Sequence, residues 1–440
     1  MLRKFYLLFF FIVTVFSSTL KVKAQEYSLI AAAGQKVYVP ITATNVKGKM
    51  NITNYGRPAI NNFDYTLSFN GTELYSKHYV LPQALNRYDD ATIEIDVPPY
   101  TELGEDELIF TITKVNGTRN SATVNYSTLP RVTVTKVPHR RVVVEDYTAM
   151  WCRYCPRGIA LMENLAHKYG DDFIGIAVHT GRGYEPLYCE DYAWNIAEIK
   201  NYPTLTMNRS RILSSYIAQT EFEEERSKGA YMDIEASAMW DKEKNNITVT
   251  PRVTFRLNRK EAPYGFAYVL TEDGMSNPRW AQANIESGNT EVRGISSELD
   301  YFIDAASTIY NLKNNSVAIA AEGVKNPVTG KITAPIKADE PQSHTFILQN
   351  ISNKSMIQDK SKLSVCIFLI NTETGYIENA TKCAISDFNT TGISSLSQGE
   401  DRVVETARYA LDGRRITAPQ KGINLVKFSD GSVRKEVVTQ

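Results

Sequence analysis

Apolar and polar positions alternate through the first third of the chain. Val37-Tyr-Val-Pro-Ile41 and Phe63-Asp-Tyr-Thr-Leu-Ser-Phe69 follow a period of two, and the second runs directly into Asn70-Gly71. A second Asn-Gly, Asn116-Gly117, follows the apolar-rich run 108–115. Asn-Gly between alternating runs predicts a two-residue hairpin, because both central residues of the turn need φ > 0. Ile93, Ile95 and Val97 mark one face of another strand, which Pro98-Pro99 ends. Residues 25–137 are therefore expected to form an immunoglobulin-like β-sandwich. With no titratable cluster and no metal-ligand spacing, its expected role is spacing or surface contact.

After Pro138 the period changes. Val142–Val144 is a continuous apolar run, a buried strand. Ile159, Met162, Leu165, Ala166 and Tyr169 share one helical face, and Gly170 is placed to end that helix in the αL conformation. Phe173–Val178 is a second buried strand, Glu190–Lys200 a helix candidate, and Tyr202–Met207 a strand entered through Pro203. Thr220-Glu-Phe-Glu223 has the spacing of a capping box opening a short acidic helix that Gly229 would stop. Strands alternating with helices predict a parallel βαβ core, an α/β domain over 138–229.

Alternation returns over 230–389, the span of a second expected β-sandwich. Ile247, Val249, Val253, Phe255 and Leu257 share a strand face, and Pro251 argues for an edge. Leu363–Ile370 and Tyr376–Ile385 flank Thr372-Glu-Thr-Gly375, a hairpin that brings Cys366 and Cys383 onto neighbouring strands. A cross-strand disulfide there, or two unlinked thiols, would both fit. A polar Gly/Ser-rich linker, 390–402, leads to a small β unit at 403–440 with turn signals at Asp412-Gly413 and Asp430-Gly431. So short a segment buries too little to be strongly stable alone, which favours an appended tag over a catalytic domain.

Charge and composition add a location. Arg3 and Lys4, the apolar run Phe5–Phe16 and Val22-Lys23-Ala24 form an export signal, 1–24, whose apolar run is too short to span a bilayer. An uncleaved anchor is the alternative. The segment holds four basic residues (Arg3, Lys4, Lys21, Lys23) and no acidic one, so 49 Lys+Arg against 49 Asp+Glu becomes a net charge of −4 without it. Such a balance gives no electrostatic footprint for nucleic acid or anionic lipid. An exported chain meets an oxidising compartment, and its 5 cysteines leave at least one unpaired or one pair that turns over. The Asn-x-Ser/Thr sequons, Asn51 and Asn70 among them, are ascribed to an Asn- and Thr-rich composition.

The chemistry concentrates at Asp146-Tyr-Thr-Ala-Met-Trp-Cys-Arg-Tyr-Cys-Pro156. Cys152 and Cys155 stand between an apolar strand and an amphipathic helix, where unpaired N–H groups and the helix dipole favour a thiolate. Cys-x-x-Cys alone is also compatible with a static bridge, or with zinc if His179 and Cys189 completed the ligands; Pro156 stands where haem attachment would need His. Trp151 precedes the first cysteine, Asp146 lies on the preceding strand, and Pro203 opens a later one.

Together these features resemble the thioredoxin superfamily over about 90 residues. The resemblance implies Cys152 as nucleophile, Cys155 as resolving thiol, Asp146 as proton acceptor for Cys155, Pro203 as a cis-proline beside the substrate, and Trp151 as a shield. No cofactor is implied beyond the redox-active Cys152–Cys155 disulfide. The Arg153-Tyr154 pair differs from the Gly-Pro of reducing thioredoxins and the Pro-His of strong oxidants, which leaves the redox direction open. Tyr202 is bulkier than the usual residue before the proline, and Cys189 has no counterpart.

Tyr147-Thr-Ala-Met-Trp-Cys-Arg-Tyr-Cys-Pro-Arg-Gly158 also resembles exported thioredoxin-like proteins of the outer-membrane-protein-twenty-eight-related group, as does Gly375-Tyr-Ile-Glu-Asn-Ala380 in the later hairpin. The segments Leu411-Asp-Gly-Arg414, Gly422–Lys427 and Val433–Val438 resemble a type IX secretion C-terminal sorting domain. That resemblance implies a Gram-negative bacterium, the type IX secretion machinery as partner, and a site at the outer membrane, on the cell surface or secreted. Two functions are then expected: a thiol–disulfide oxidoreductase acting on protein thiols or disulfides, or a surface binding or scaffold protein with a static disulfide in a retained fold.

Overall fold

A computed structural model of the chain describes residues 26–193, 199–388, 405–410, 414–416, 418–428 and 433–438. The expected export signal, the expected linker and the turns expected at Asp412-Gly413 and Asp430-Gly431 lie outside the described residues. The chain divides into two compact units, 1–388 and 389–440. No helix among the described residues is long and apolar enough to cross a membrane.

The first unit opens with nine strands: β1 (Leu29–Ala31), β2 (Val37–Pro40), β3 (Val46–Asn54), β4 (Ile60–Phe69), β5 (Thr72–Leu85), β6 (Asp90–Val97), β7 (Gly104–Val115), β8 (Thr118–Arg119) and β9 (Tyr126–Val134). One sheet has the order β1-β3-β6 and the other β2-β9-β7-β4-β5, with β8 beside β7. Their inner faces share a core that includes Met50, Ile52, Phe63, Leu67, Ile93, Ile95, Phe110 and Leu129. Both Asn-Gly pairs make the expected tight turns, with φ of 47° and 77° at Asn70 and Gly71 and 46° and 78° at Asn116 and Gly117.

The remaining strands of this unit are β10 (Val142–Thr148), β11 (Phe173–His179), β12 (Thr204–Met207), β13 (Arg211–Leu213), β14 (Met232–Trp240), β15 (Ile247–Phe255), β16 (Tyr264–Glu272), β17 (Ala281–Ala283), β18 (Thr308–Tyr310), β19 (Val317–Glu322), β20 (Pro341–Ser343), β21 (Phe346–Leu348), β22 (Leu363–Asn371) and β23 (Ile377–Ser386). Among the described residues three α-helices accompany them: α1 (Pro156–Tyr169), α2 (Gln219–Ser227) and α3 (Ser297–Asp304). All but β17 and β18 belong to one 12-stranded sheet, ordered β13-β12-β10-β11-β19-β16-β22-β23-β14-β15-β20, with β21 also on β15. The strands expected of an α/β domain and those expected of a second sandwich thus run on in one sheet. The seam is the parallel contact of Ala177 with Val317. The parallel βαβ unit is β10-α1-β11, and β12 lies antiparallel to β10.

Several local expectations are revised. The capping box at Thr220 does not form: α2 starts at Gln219 after Ala218, with no side-chain cap. Gly170 has a positive φ (50°) but ψ of −121°, outside αL, and leads into a 3-10 turn. Pro251 lies on β15 between the stretches paired with β21 (247–249) and β20 (252–254), so two short strands cover that edge and leave its missing N–H in the gap. Cys366 is opposite Lys382, and Cys383 opposite Val365. The one-residue offset sends the two thiols to opposite faces of the sheet, and both are free. Of the helix expected at 190–200, a 3-10 turn at Glu190–Tyr192 is seen, and 194–198 lie outside the described residues.

The described residues of the second unit form a four-stranded antiparallel sheet, β24 (Glu405–Ala410), β25 (Arg415–Ile416), β26 (Gly422–Phe428) and β27 (Val433–Val438), ordered β25-β24-β26-β27.

Candidate active site at the Cys152–Cys155 disulfide

Every residue of β10 and of β11 is buried. Because side chains alternate across a strand, Val142, Val144, Asp146 and Thr148 face α1, whereas Val143, Glu145 and Tyr147 face the other side. On that other side Glu145 is held by Arg209, at 2.8 and 2.9 Å, and by Tyr192. Beyond β10 the chain turns tightly, with Cys152 N–H donating to the Ala149 carbonyl and Cys155 N–H to that of Cys152. Cys155 is the N-cap of α1 and Pro156 its first residue, where the missing N–H removes no helical hydrogen bond. Cys152 and Cys155 form a disulfide with a Cα–Cα distance of 5.4 Å. Cys152 is 5% exposed and Cys155 fully buried.

Asp146 lies behind this turn, 1% exposed, and its Oδ1 has no hydrogen-bond partner. Burial pushes its carboxyl up to about 8. Gly158, in the first turn of α1, explains how the acid is accommodated. A Cβ on residue 158 would come within 2.9 Å of both Asp146 carboxylate oxygens and 3.0 Å of the Pro203 Cβ. Asp146, α1 and Pro203 therefore meet at a point where only glycine fits. Gly158→Ala is expected to destabilise the protein by about 2 kcal/mol despite alanine's better helix propensity, measured as a lower urea midpoint.

The Tyr202–Pro203 peptide is cis. Tyr202 packs against Ala149, Cys152 and Cys155. Trp151 is 46% exposed, donates its Nε1–H to the Thr180 carbonyl at 3.1 Å, and sets its ring against Tyr202 and Tyr184. Arg153 and Tyr154 are exposed, with the guanidinium over the tyrosine ring. Arg157 instead pairs with the buried Glu286 at 2.5 Å. Cys189 is buried and free, and burial pushes its thiol up to about 12. No group of metal-ligating side chains occurs among the described residues.

Two parts of the site had not been read from the sequence. The segment through β17 straps the cysteine turn: Gln282 Nε2 donates to the carbonyls of Ala149 and Cys152, Ala283 N–H to that of Met150, and Ile285 N–H to that of Arg153. More than a hundred residues separate the strap from the turn, and no local pattern marks it. The second part is a buried His179–Glu185 pair, 3.0 Å apart, whose carboxylate also accepts the Met150 N–H. Its signal was available, because His179 ends a buried strand whose parallel register with β10 sets it beside Thr148.

The fold and site define a mostly β-strand protein of several sheets, carrying a Cys-x-x-Cys disulfide where a strand passes into a helix. No family model matches the chain, and no curated protein does. Among solved structures it is similar to HBP35 of Porphyromonas gingivalis, at 13% identity and a TM-score of 0.39, over 69% of this chain and 99% of that one. It is similar to protein AGR_C_4864 from Agrobacterium tumefaciens at 12% identity and a TM-score of 0.33, over 59% and 98%. The CARDB domain of PF1109 from Pyrococcus furiosus matches 26% of this chain at a TM-score of 0.20 and 16% identity, over 97% of its own length. At these scores the likenesses carry no argument about function.

Proposed function

We propose that the protein is an exported thioredoxin-like thiol–disulfide oxidoreductase that acts on protein thiols or disulfides at the cell surface. One observation carries this reading: the Cys152–Cys155 disulfide stands at the start of α1 with the buried, protonatable Asp146 behind it. In the reducing direction, the Cys152 thiolate attacks one sulfur of a substrate disulfide and expels the other as a thiolate. The Cys155 thiol then gives its proton to Asp146 and attacks the Cys152 sulfur. The Cys152–Cys155 bond forms as the mixed disulfide breaks, and the substrate leaves with both sulfurs reduced. Oxidation of a dithiol runs the same steps backwards. The helix N-terminus favours the Cys152 thiolate, and Arg153 adds a neighbouring positive charge. The export signal at 1–24 and the sorting-domain resemblance at 403–440 support type IX secretion and an outer-membrane, cell-surface or secreted location.

Turnover tests the reading. With a small dithiol as reductant, the protein is expected to reduce a protein disulfide catalytically, and Cys152→Ser to fall to the uncatalysed rate. Equal rates for the two proteins would refute it. A static bridge in a surface scaffold is the second reading, favoured by the strap through Gln282 and by the 5% exposure of Cys152.

A further inference from the structure

A cavity of about 590 Å³ lies on the α1 side of the sheet, and Asp146, Thr148 and His179 all line it. These three side chains share a face because Thr148 is in register with His179, and Asp146 with Ala177. Each is 1% exposed. Asp146 Oδ1 and Thr148 Oγ1 have no hydrogen-bond partner in the protein, although buried polar groups nearly always find one. A polar space of this size admits several waters that could satisfy both. At its outer end the cavity is lined by Arg141 before β10, Glu163 on α1, Asp171 after α1, Asp273 after β16 and Lys382 on β23. Asp171 and Lys382 are exposed, so the space runs from solvent to the acid behind the disulfide. His179 donates from Nδ1 to Glu185, which leaves Nε2 as the nitrogen that can exchange a proton.

We propose that this cavity is a water-filled proton path, along which Thr148 and the His179–Glu185 pair carry the resolving-step proton between Asp146 and solvent. The inference rests on the oxidoreductase reading and adds the route that reading lacks. Asp146 is closed off from direct solvent by the cysteine turn, yet it must lose in each cycle the proton taken from Cys155. The proton passes from the carboxyl to cavity water, and through His179 Nε2 or the Thr148 hydroxyl to the charged mouth; the oxidising direction brings one in. His179 and Thr148 are positioning and relay residues.

Rapid mixing of the reduced protein with a protein disulfide separates the two steps. Acid-quenched alkylation counts the mixed disulfide as it forms, and Trp fluorescence follows its resolution. His179→Asn, whose amide nitrogen stands where Nδ1 does and can still donate to Glu185, is expected to form the mixed disulfide at the wild-type rate and to resolve it roughly 10-fold more slowly near neutral pH. Added imidazole, small enough to enter the cavity, should restore most of that rate. The near-isosteric Thr148→Val should slow resolution in the same direction, with a matching loss of pH dependence. If both variants resolve at the wild-type rate across pH, or if the slowed rate ignores imidazole, the proton path is wrong and the oxidoreductase reading stands. If the wild-type protein forms no mixed disulfide at all, both fall.

Discussion

Cys155→Ser should accumulate a covalent complex with its substrate protein, joined through Cys152, that a reductant dissolves on a non-reducing gel. The wild-type protein should show this complex only transiently, and Cys152→Ser never. With no thiol at position 155 the mixed disulfide has no internal resolving step, so turnover is expected to fall by about 10³-fold or more. The same variant separates Cys155 from the remaining thiols. Cys189 and Cys366 are buried and Cys383 partly so, with burial pushing their thiols up to about 12, about 11 and about 12. None of the three is primed to stand in as the resolving group. A Cys155→Ser protein that cycles at a normal rate would show that the chemistry lies elsewhere.

The second large effect is on stability. Asp146 has an ordinary value of 3.8 that burial raises to about 8 in the folded protein. Between those values the folded state binds a proton that the unfolded state has lost, so stability falls as pH rises through this window. The cost is absent below pH 3.8, about 4 kcal/mol at pH 7, and level above pH 8. Asp146→Asn does not titrate, although its buried amide carries a fixed cost of about 1–3 kcal/mol. The variant is therefore expected to be no more stable than wild type near pH 3, and more stable by about 2 kcal/mol at pH 7. It should also resolve the mixed disulfide 10²-fold or so more slowly. Urea unfolding of the two oxidised proteins across pH checks the first claim; a stability difference that does not vary with pH would contradict it.

Local pattern located the pieces of this molecule better than their assembly. The Asn-Gly hairpins follow from backbone sterics alone, and the buried strands at Val142 and Phe173 from continuous apolar runs. The candidate residues Asp146, Trp151, Cys152, Cys155 and Pro203 could be singled out in the sequence because they are near one another or at a fixed spacing. Gly158 was less legible, since its need appears only when Asp146 and Pro203 are seen to converge on it. Gln282 carried no signal, because a side-chain amide donating to two carbonyls imposes no periodicity on its own segment. For Cys366 and Cys383, a register offset of one residue is invisible in the sequence, yet it moves a thiol to the other face. The continuous sheet escaped for a related reason. A strand of alternating apolar residues pairs equally well with a neighbour of either block.

The reduction potential of the Cys152–Cys155 couple tests the central claim most directly. It is read by counting alkylated thiols after equilibration in a series of dithiol–disulfide buffers. A reversible two-electron transition is expected between about −120 and −270 mV, the range of working oxidoreductases. A pair that remains oxidised below about −300 mV would be a structural bridge, and the protein a scaffold instead of a catalyst.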